Sequence, residues 1–252
     1  MVLGAVAAGI GVVVTVALAA AAVAGRALTP TAGAVSAGFG IVIVVLAGFP
    51  YLALLALFVV ASALATRYRF EEKRKASVQE GVGGERGVSN VVAHIVIPTG
   101  IAVGVLLRPS EVPLLTVLYA SALAFGASDT FASEFGVLAG RARSILTLRP
   151  VPPGTNGGVS GLGELFALVG ASLTGVVGFL LFAAFRTPVG TAIVFAVSVA
   201  AAGFVACQID SVIGETLENR GVLGKGGTNF LAMLASVAIG FAIVTALGGV
   251  GG

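Results

Sequence analysis

Long uncharged apolar runs, separated by short polar segments, most restrict how this 252-residue chain can fold. The first run, residues 2–24, contains no charged side chain, and several later runs are of similar length. A helix that crosses a bilayer needs ~20 consecutive apolar residues. Only 10% of the residues are charged, against roughly 25% in soluble domains. The sequence therefore predicts a polytopic membrane protein.

The runs predict an all-α transmembrane bundle of about eight spans in a single domain, residues 1–252. The second and third runs are short, so they are either two tight spans or one helical hairpin, and the total is six to eight. Ala22-Val23-Ala24 is typical of a signal-peptidase site, but no Lys or Arg precedes the first run, which favours a retained helix. The predicted spans are residues 2–24, 31–49, 51–66, 88–107, 112–128, 161–185, 189–209 and 229–247.

The distribution of positive charge predicts the orientation in the cell membrane. With eight spans, twelve of the fourteen Lys and Arg residues fall on one side, and only Arg108 and Arg186 fall on the other. Positive charge is retained in the cytoplasm, so both termini are predicted outside and three polar loops inside: a charged loop at 66–88 and active-site loops at 129–160 and 209–229. The charged loop is predicted to be solvated, with a basic helix on anionic lipid as the alternative. The net charge of only +3 gives no indication of a nucleic-acid partner.

Two of these loops carry similar motifs, which suggests an internal pseudo-repeat. Asp129 to Glu134 and Asp210 to Glu215 both read Asp, hydroxyl, apolar, apolar, small, Glu, and each is followed by Gly-Thr-Asn. Acids five residues apart do not share a helix face, so either each helix breaks after its Asp or the two motifs pool their acids. Pooled carboxylates favour Mg²⁺, and all four acids are predicted to be catalytic and metal-binding.

The Pro- and Gly-rich segment before Ser160 predicts a phosphate-binding loop. Glycines permit positive φ angles, and free backbone N–H groups before a helix attract anions. The sequence lacks the Gly-Lys-Ser/Thr ending of a Walker loop. The predicted nucleotide- and phosphate-binding residues are Arg149, Pro153, Gly154, Thr155, Asn156, Gly157, Gly158, Ser160, Lys225, Thr228 and Asn229.

At residues 127–136, 151–160 and 209–217, and at Arg86-Gly87 with Asn90, the chain resembles the phytyl-phosphate kinase family of integral membrane proteins. It departs from that family's pattern at His94 and Glu164. The resemblance implies phosphoryl transfer from a nucleoside triphosphate, CTP above all, to a prenyl monophosphate in the bilayer. The expected substrate contacts are Arg86, Asn90, His94, Ser133 and Ser211.

The sequence thus predicts a Mg²⁺-dependent prenyl-phosphate kinase that makes the diphosphate. One alternative is a CTP-dependent nucleotidyltransferase that makes a CDP-linked lipid, and another is a cation-coupled transporter. A transporter's acids are expected near the membrane midplane, whereas these acids are predicted at span ends on one side. The expected partners are the bilayer, the lipid monophosphate and the nucleotide, and the sequence is compatible with a homodimer.

Overall fold

The computed structural model of the chain describes residues 5–248 as a bundle of long helices. Nine α-helices lie within this range, and all except α4 are long. Their bounds are α1 Ala5–Ala24, α2 Pro30–Leu46, α3 Phe49–Arg67, α4 Phe70–Lys75, α5 Val88–Leu107, α6 Val112–Gly136, α7 Gly161–Ala184, α8 Ala192–Ile213 and α9 Lys225–Ala246.

The predicted all-α membrane bundle is confirmed. Within the described range, seven helices are long and apolar enough to cross a membrane, and α2, with 17 residues, is a shorter apolar helix. Three of the described helices begin at side-chain caps: the hydroxyl of Thr29 accepts from the Ala32 N–H at 3.3 Å, that of Ser160 from the Gly163 N–H at 3.1 Å, and that of Thr191 from the Val194 N–H at 3.4 Å. Such caps satisfy N–H groups that the first turn leaves free.

Helix α6 lies at the centre of the bundle and packs against α3, α5, α7, α8 and α9. Glycines of its neighbours allow close backbone contact: a Cβ atom on Gly170 of α7 would lie 2.7 Å from the Ala127 carbonyl oxygen, and one on Gly203 of α8 would lie 2.9 Å from that of Ala124. Small residues permit this approach between membrane helices. The contacts hold α7 and α8 against the part of α6 that precedes Asp129.

Four connections meet at one end of the bundle. The turn at residues 25–29 bonds to the 68–87 segment, where the Thr29 N–H donates to the Arg86 carbonyl at 3.1 Å. That segment reaches the start of α9, and the 137–160 segment reaches the residues that follow α8. The eight long helices therefore alternate in direction, which agrees with the predicted order of spans.

The polar segments at this end are more ordered than the sequence predicts. The 66–88 loop, expected to be solvated, contains α4, whose Lys73 is buried. Residues 137–160 form a small antiparallel sheet in the order β2-β1-β3, which adds a β element to the helical bundle. Its strands are β1 Ala142–Ser144, β2 Pro150–Val151 and β3 Gly158–Val159.

Candidate active site

Asp129 of α6 and Asp210 of α8 line one cavity of about 180 Å³ at the end of the bundle where the four connections meet. Lys225 and Asn229, both on α9, lie on its wall. Residues 153–160 form another part of the wall. The structure therefore brings together the two aspartates and the glycine-rich loop that the sequence singled out separately.

The two aspartates lie within helices, and the predicted active-site loops are shorter than expected. Helix α6 continues to Gly136, and α8 continues to Ile213 and then through one π-helical turn, Gly214–Glu218. The predicted span at residues 112–128 placed Asp129 in a loop, which was wrong, because α6 continues for two further turns beyond residue 128. Lys225 and Thr228 likewise belong to α9 and not to a loop, so that α9 begins four residues before the predicted start of its span at Asn229.

Glu134 does not face the cavity. Its Oε2 accepts a hydrogen bond from Lys73 Nζ at 2.6 Å, and its Oε1 accepts one from Thr66 Oγ1 at 2.6 Å. The side chains of Lys73 and Glu134 are 0% and 6% exposed. Glu134 is therefore one half of a buried ion pair that fastens α4 to α6, which corrects its prediction as a metal ligand.

Glu215 also holds a neighbouring segment in place. Its Oε1 accepts from the Ser144 hydroxyl at 2.5 Å, and its Oε2 accepts from the backbone N–H of Leu146 at 3.3 Å. These bonds attach the small sheet to the π-helical turn after α8. They occupy both carboxylate oxygens, so the prediction of Glu215 as a metal ligand is also corrected.

The four acids thus divide into two groups. Over the described range, the structure contains no group of three or more His, Cys, Asp and Glu side chains that could hold a metal ion. Asp129 and Asp210 remain, on facing helices of one cavity. Two carboxylates that leave the other positions to phosphate oxygens and water fit Mg²⁺, so of the four acids only these two remain candidate metal ligands.

The glycine-rich loop packs directly on the end of α8. Gly157 has a φ angle of +75°, and a Cβ atom there would lie 2.9 Å from the Ser211 carbonyl oxygen. Asn156 donates from Nδ2 to Glu218 Oε1 at 3.0 Å. A larger residue at position 157 would push the loop away from α8, so this glycine fixes how closely the loop approaches Asp210.

The remaining loop residues divide between the cavity wall and the scaffold. Thr155 donates to the Pro152 carbonyl at 2.7 Å, and Ser160 caps α7 and also donates to the Gly136 carbonyl at 3.1 Å. These hydroxyls therefore shape the loop through bonds to the backbone. The predicted residues of this segment that line the cavity are Pro153, Gly154, Thr155, Asn156, Gly157, Gly158 and Ser160.

Two predicted phosphate-binding residues lie away from the cavity. Arg149 lies exposed in the connection between β1 and β2 and is not on the cavity wall. Thr228 is 1% exposed, packed inside the bundle, and lies outside the lining as well. Ser133 and Ser211, predicted to contact substrate, do line the cavity.

Lys225 is held by Glu80, a residue that sequence reasoning missed. Lys225 Nζ donates to Glu80 Oε2 at 3.1 Å across 145 residues of sequence. Burial opposes the ionisation of Glu80, but the positive charges of Lys225 and Arg86 outweigh it, so the pKa of Glu80 is lowered. Glu218, which lines the cavity, was also missed. Both acids lie in polar segments where no local pattern distinguishes them from solvated charges.

Arg86, Asn90 and His94 line a second, smaller cavity of about 70 Å³. His94 Nδ1 lies 2.9 Å from the Asn90 carbonyl oxygen, and its Nε2 lies 3.5 Å from the side-chain amide of Asn229. Asn229 also lines the first cavity. The predicted substrate contacts are therefore split, and the His94–Asn229 pair forms part of the wall between the two cavities.

Asn229 lies between His94 and Asp210 along this wall. Since a carbonyl oxygen can only accept, His94 donates to Asn90 through Nδ1. In the amide orientation that satisfies its neighbours, Asn229 donates to Asp210 Oδ1 at 3.3 Å and to the Lys225 carbonyl at 3.1 Å. Asn229 therefore links the wall between the cavities to Asp210.

The fold and the cavity together define a polytopic membrane protein with a polar, carboxylate-bearing site at one end of its helices. The chain belongs to the family described as integral membrane protein DUF92, whose model matches residues 13–244. It is 32% identical over 202 residues to an uncharacterized membrane protein of Methanocaldococcus jannaschii, covering 79% of each chain.

Two further relatives are similar over much of their length. An uncharacterized membrane protein of Synechocystis is 34% identical over 176 residues, which cover 68% of this chain and 64% of the relative. Protein PGR of Arabidopsis thaliana is 31% identical over 207 residues, which cover 72% of this chain and 71% of the relative. No solved structure matches the chain.

Proposed function

We propose that this protein is a Mg²⁺-dependent prenyl-phosphate kinase, of the phytyl-phosphate kinase type that its motifs resemble, with CTP as phosphoryl donor. One observation carries the proposal: Asp129 and Asp210 share a cavity with a glycine-rich loop and a lysine. Carboxylates for a metal and N–H groups with a cation for phosphate are the parts that phosphoryl transfer requires. Their position at the end of a membrane bundle favours a lipid acceptor.

The nucleotide phosphates are proposed to lie against residues 153–158, whose glycines leave the backbone open to an anion. Lys225 contributes a positive charge beside them, held in position by Glu80. Asp129 and Asp210 would hold Mg²⁺, which when bound neutralises the negative charge of the phosphates.

The transfer itself requires little from protein side chains. An oxygen of the lipid monophosphate forms a bond to the γ-phosphorus of the nucleotide, and the bond from that phosphorus to the bridging oxygen breaks, so that CDP leaves. A phosphate monoester is largely ionised near neutral pH, so no general base is needed to activate it. The chain's own contribution is to position the two phosphates in line and to exclude water.

The test is a direct assay of the full chain in lipid nanodiscs. Phytyl or geranylgeranyl monophosphate with CTP and Mg²⁺ is expected to give the prenyl diphosphate and CDP, detected by mass spectrometry. The Asp129→Ala, Asp210→Ala double variant is expected to be inactive, while Arg149→Gln, away from the cavity, serves as the matched control. Full turnover by the double variant would refute the site, and release of pyrophosphate in place of CDP would identify a nucleotidyltransferase.

The distribution of Lys and Arg supports a cytoplasmic location for this end of the bundle. The single native cysteine, Cys207, is buried, so introduced cysteines can report sidedness. Leu148→Cys at the cavity end is expected to react with an impermeant thiol reagent only after cells are opened, and Ser110→Cys at the opposite end to react in intact cells. The reverse pattern would invert the proposed orientation.

A further inference from the structure

Helices α1, α2 and α3 enclose an apolar groove beside the candidate active site. The groove has a volume of about 280 Å³ and extends along α3 from Leu52 to Arg67, which is about 22 Å of helix axis. Large apolar side chains on its rim, such as Leu18 and Leu64, are 40% and 65% exposed. One leaflet of the hydrocarbon layer is about 15 Å thick, so the groove is long enough to receive a lipid chain lengthwise.

The groove continues inward into the smaller cavity of about 70 Å³. The two share wall residues from α2, α3 and the turn between α1 and α2, among them Leu28, Ser36 and Ala63. The inner cavity ends at Arg86, Asn90 and His94. An apolar path therefore leads from the lipid-facing flank of the bundle to a polar end.

The polar end carries a cation and an unpartnered buried hydroxyl. Among the described residues Arg86 forms no ion pair, and its Nη1 donates to Thr130 Oγ1 at 3.2 Å, one residue after Asp129. Ser62 lines the inner cavity and is 2% exposed, and within residues 5–248 its Oγ has no hydrogen-bond partner. Buried polar groups are normally bonded, so this hydroxyl indicates a polar ligand atom at the inner end.

We propose that the groove and inner cavity bind a single-chain lipid monophosphate, with its hydrocarbon chain between α1, α2 and α3 and its phosphate at Arg86. A guanidinium beside an apolar path complements one anionic head group on one chain. The narrow inner cavity suits one chain and not the two of a diacyl phospholipid. Arg86 is bonded to Thr130, the residue next to Asp129, so a phosphate at Arg86 would lie near the candidate active site. That this phosphate acts as the acceptor rests on the proposed function.

Photocrosslinking of the full chain in nanodiscs tests the groove without nucleotide. The probe is geranylgeranyl monophosphate with a diazirine at the end of its chain, and the adducts are located by peptide mass spectrometry. We expect adducts on α1 to α3, a loss of labelling by roughly ten- to a hundredfold in Arg86→Gln, and strong loss in Ala63→Leu and Ser36→Leu. Ala61→Leu, the same change on α3 outside the groove, is expected to label normally, and elution on size exclusion checks that each variant is folded.

The outcomes separate this inference from the proposed function. Adducts confined to α7 or α8, normal labelling of both groove-filling variants, or equal competition by a diacyl phosphatidate would overturn the groove assignment, even if CDP is formed. Adducts on α1 to α3 that unlabelled geranylgeranyl monophosphate displaces would support the groove, even if no phosphoryl transfer is observed and the kinase proposal fails.

Discussion

The buried ion pair with Lys73 gives Glu134 a structural role, in place of the metal-ligand role that the sequence suggested. Lys73 Nζ donates to Glu134 Oε2 at 2.6 Å and to the carbonyls of Ala65 and Thr66 at 3.1 and 2.7 Å. Lys73→Met removes the cation that these three acceptors share. Breaking a buried pair by removing one partner costs about 3–5 kcal/mol, because the other charge is left buried and uncompensated.

A matched comparison fixes the scale of this effect. Arg74 and Glu71 form an ion pair one residue along α4, with side chains 60% and 64% exposed. Exposed pairs contribute about 0–1 kcal/mol, so Arg74→Met is expected to leave the free energy of unfolding nearly unchanged. Lys73→Met and Glu134→Gln should each lower it by about 3–5 kcal/mol, and the double variant by less than the sum, with a coupling of about 1–3 kcal/mol.

Unfolding in mixed micelles by added dodecyl sulfate, followed by circular dichroism, measures these free energies. Hydrogen exchange should also show that residues 70–78 lose protection in Lys73→Met while α8 does not, because the pair joins α4 to α6. Costs under about 1 kcal/mol for both single variants, as for an exposed pair, would refute the structural role. If the Glu134→Gln variant were as stable as the unaltered protein but lost Mg²⁺-dependent turnover, the metal-ligand role of Glu134 would be restored instead.

Three further predictions concern the cavity and its walls. Asp129→Asn and Asp210→Asn should each reduce prenyl diphosphate formation by roughly 10²-fold or more, measured in nanodiscs, with unfolding little changed. Gly157→Ala should cost at least about 1–2 kcal/mol, because a positive φ is strained with a Cβ atom, and should weaken nucleotide binding by calorimetry, whereas Gly161→Ala, with open space around it, should do neither. Because the pKa of Glu80 is lowered in the fold, its ion pair contributes stability at neutral pH that is lost as the pH falls below its ordinary value of 4.5; Glu80→Gln should abolish that acid-dependent loss in unfolding experiments.

The apolar runs predicted most of the fold because each bilayer-spanning helix is encoded by its own composition. The predicted span at residues 88–107 coincides with α5, and that at 161–185 differs from α7 by one residue. The predicted end of α6 at residue 128 was wrong by eight residues. The apolar run stops at Asp129, but Asp129 and Glu134 continue the helix, since one faces a polar cavity and the other a lysine.

The long-range partners in the site could not be predicted in this way. Glu80 and Lys225 are 145 residues apart, and nothing near either residue indicates the other. Lys73 lies in a run of charges, Phe70–Lys75, that is typical of a solvated surface. Which charge of such a run is buried depends on where its helix is docked, and that is a property of the tertiary structure.

The five-residue spacing within each Asp–Glu motif places its two acids on different sides of the helix. At about 100° per residue, side chains five apart on a continuous helix point roughly 140° away from each other. Two acids of one motif therefore face opposite environments: Asp129 faces the cavity and Glu134 faces Lys73. In the second motif Asp210 faces the cavity while Glu215, beyond the start of the π-helical turn, holds the small sheet. Each motif thus joins a proposed metal ligand to the residue that fixes a neighbouring segment around it, so any displacement of α6 or α8 moves both together.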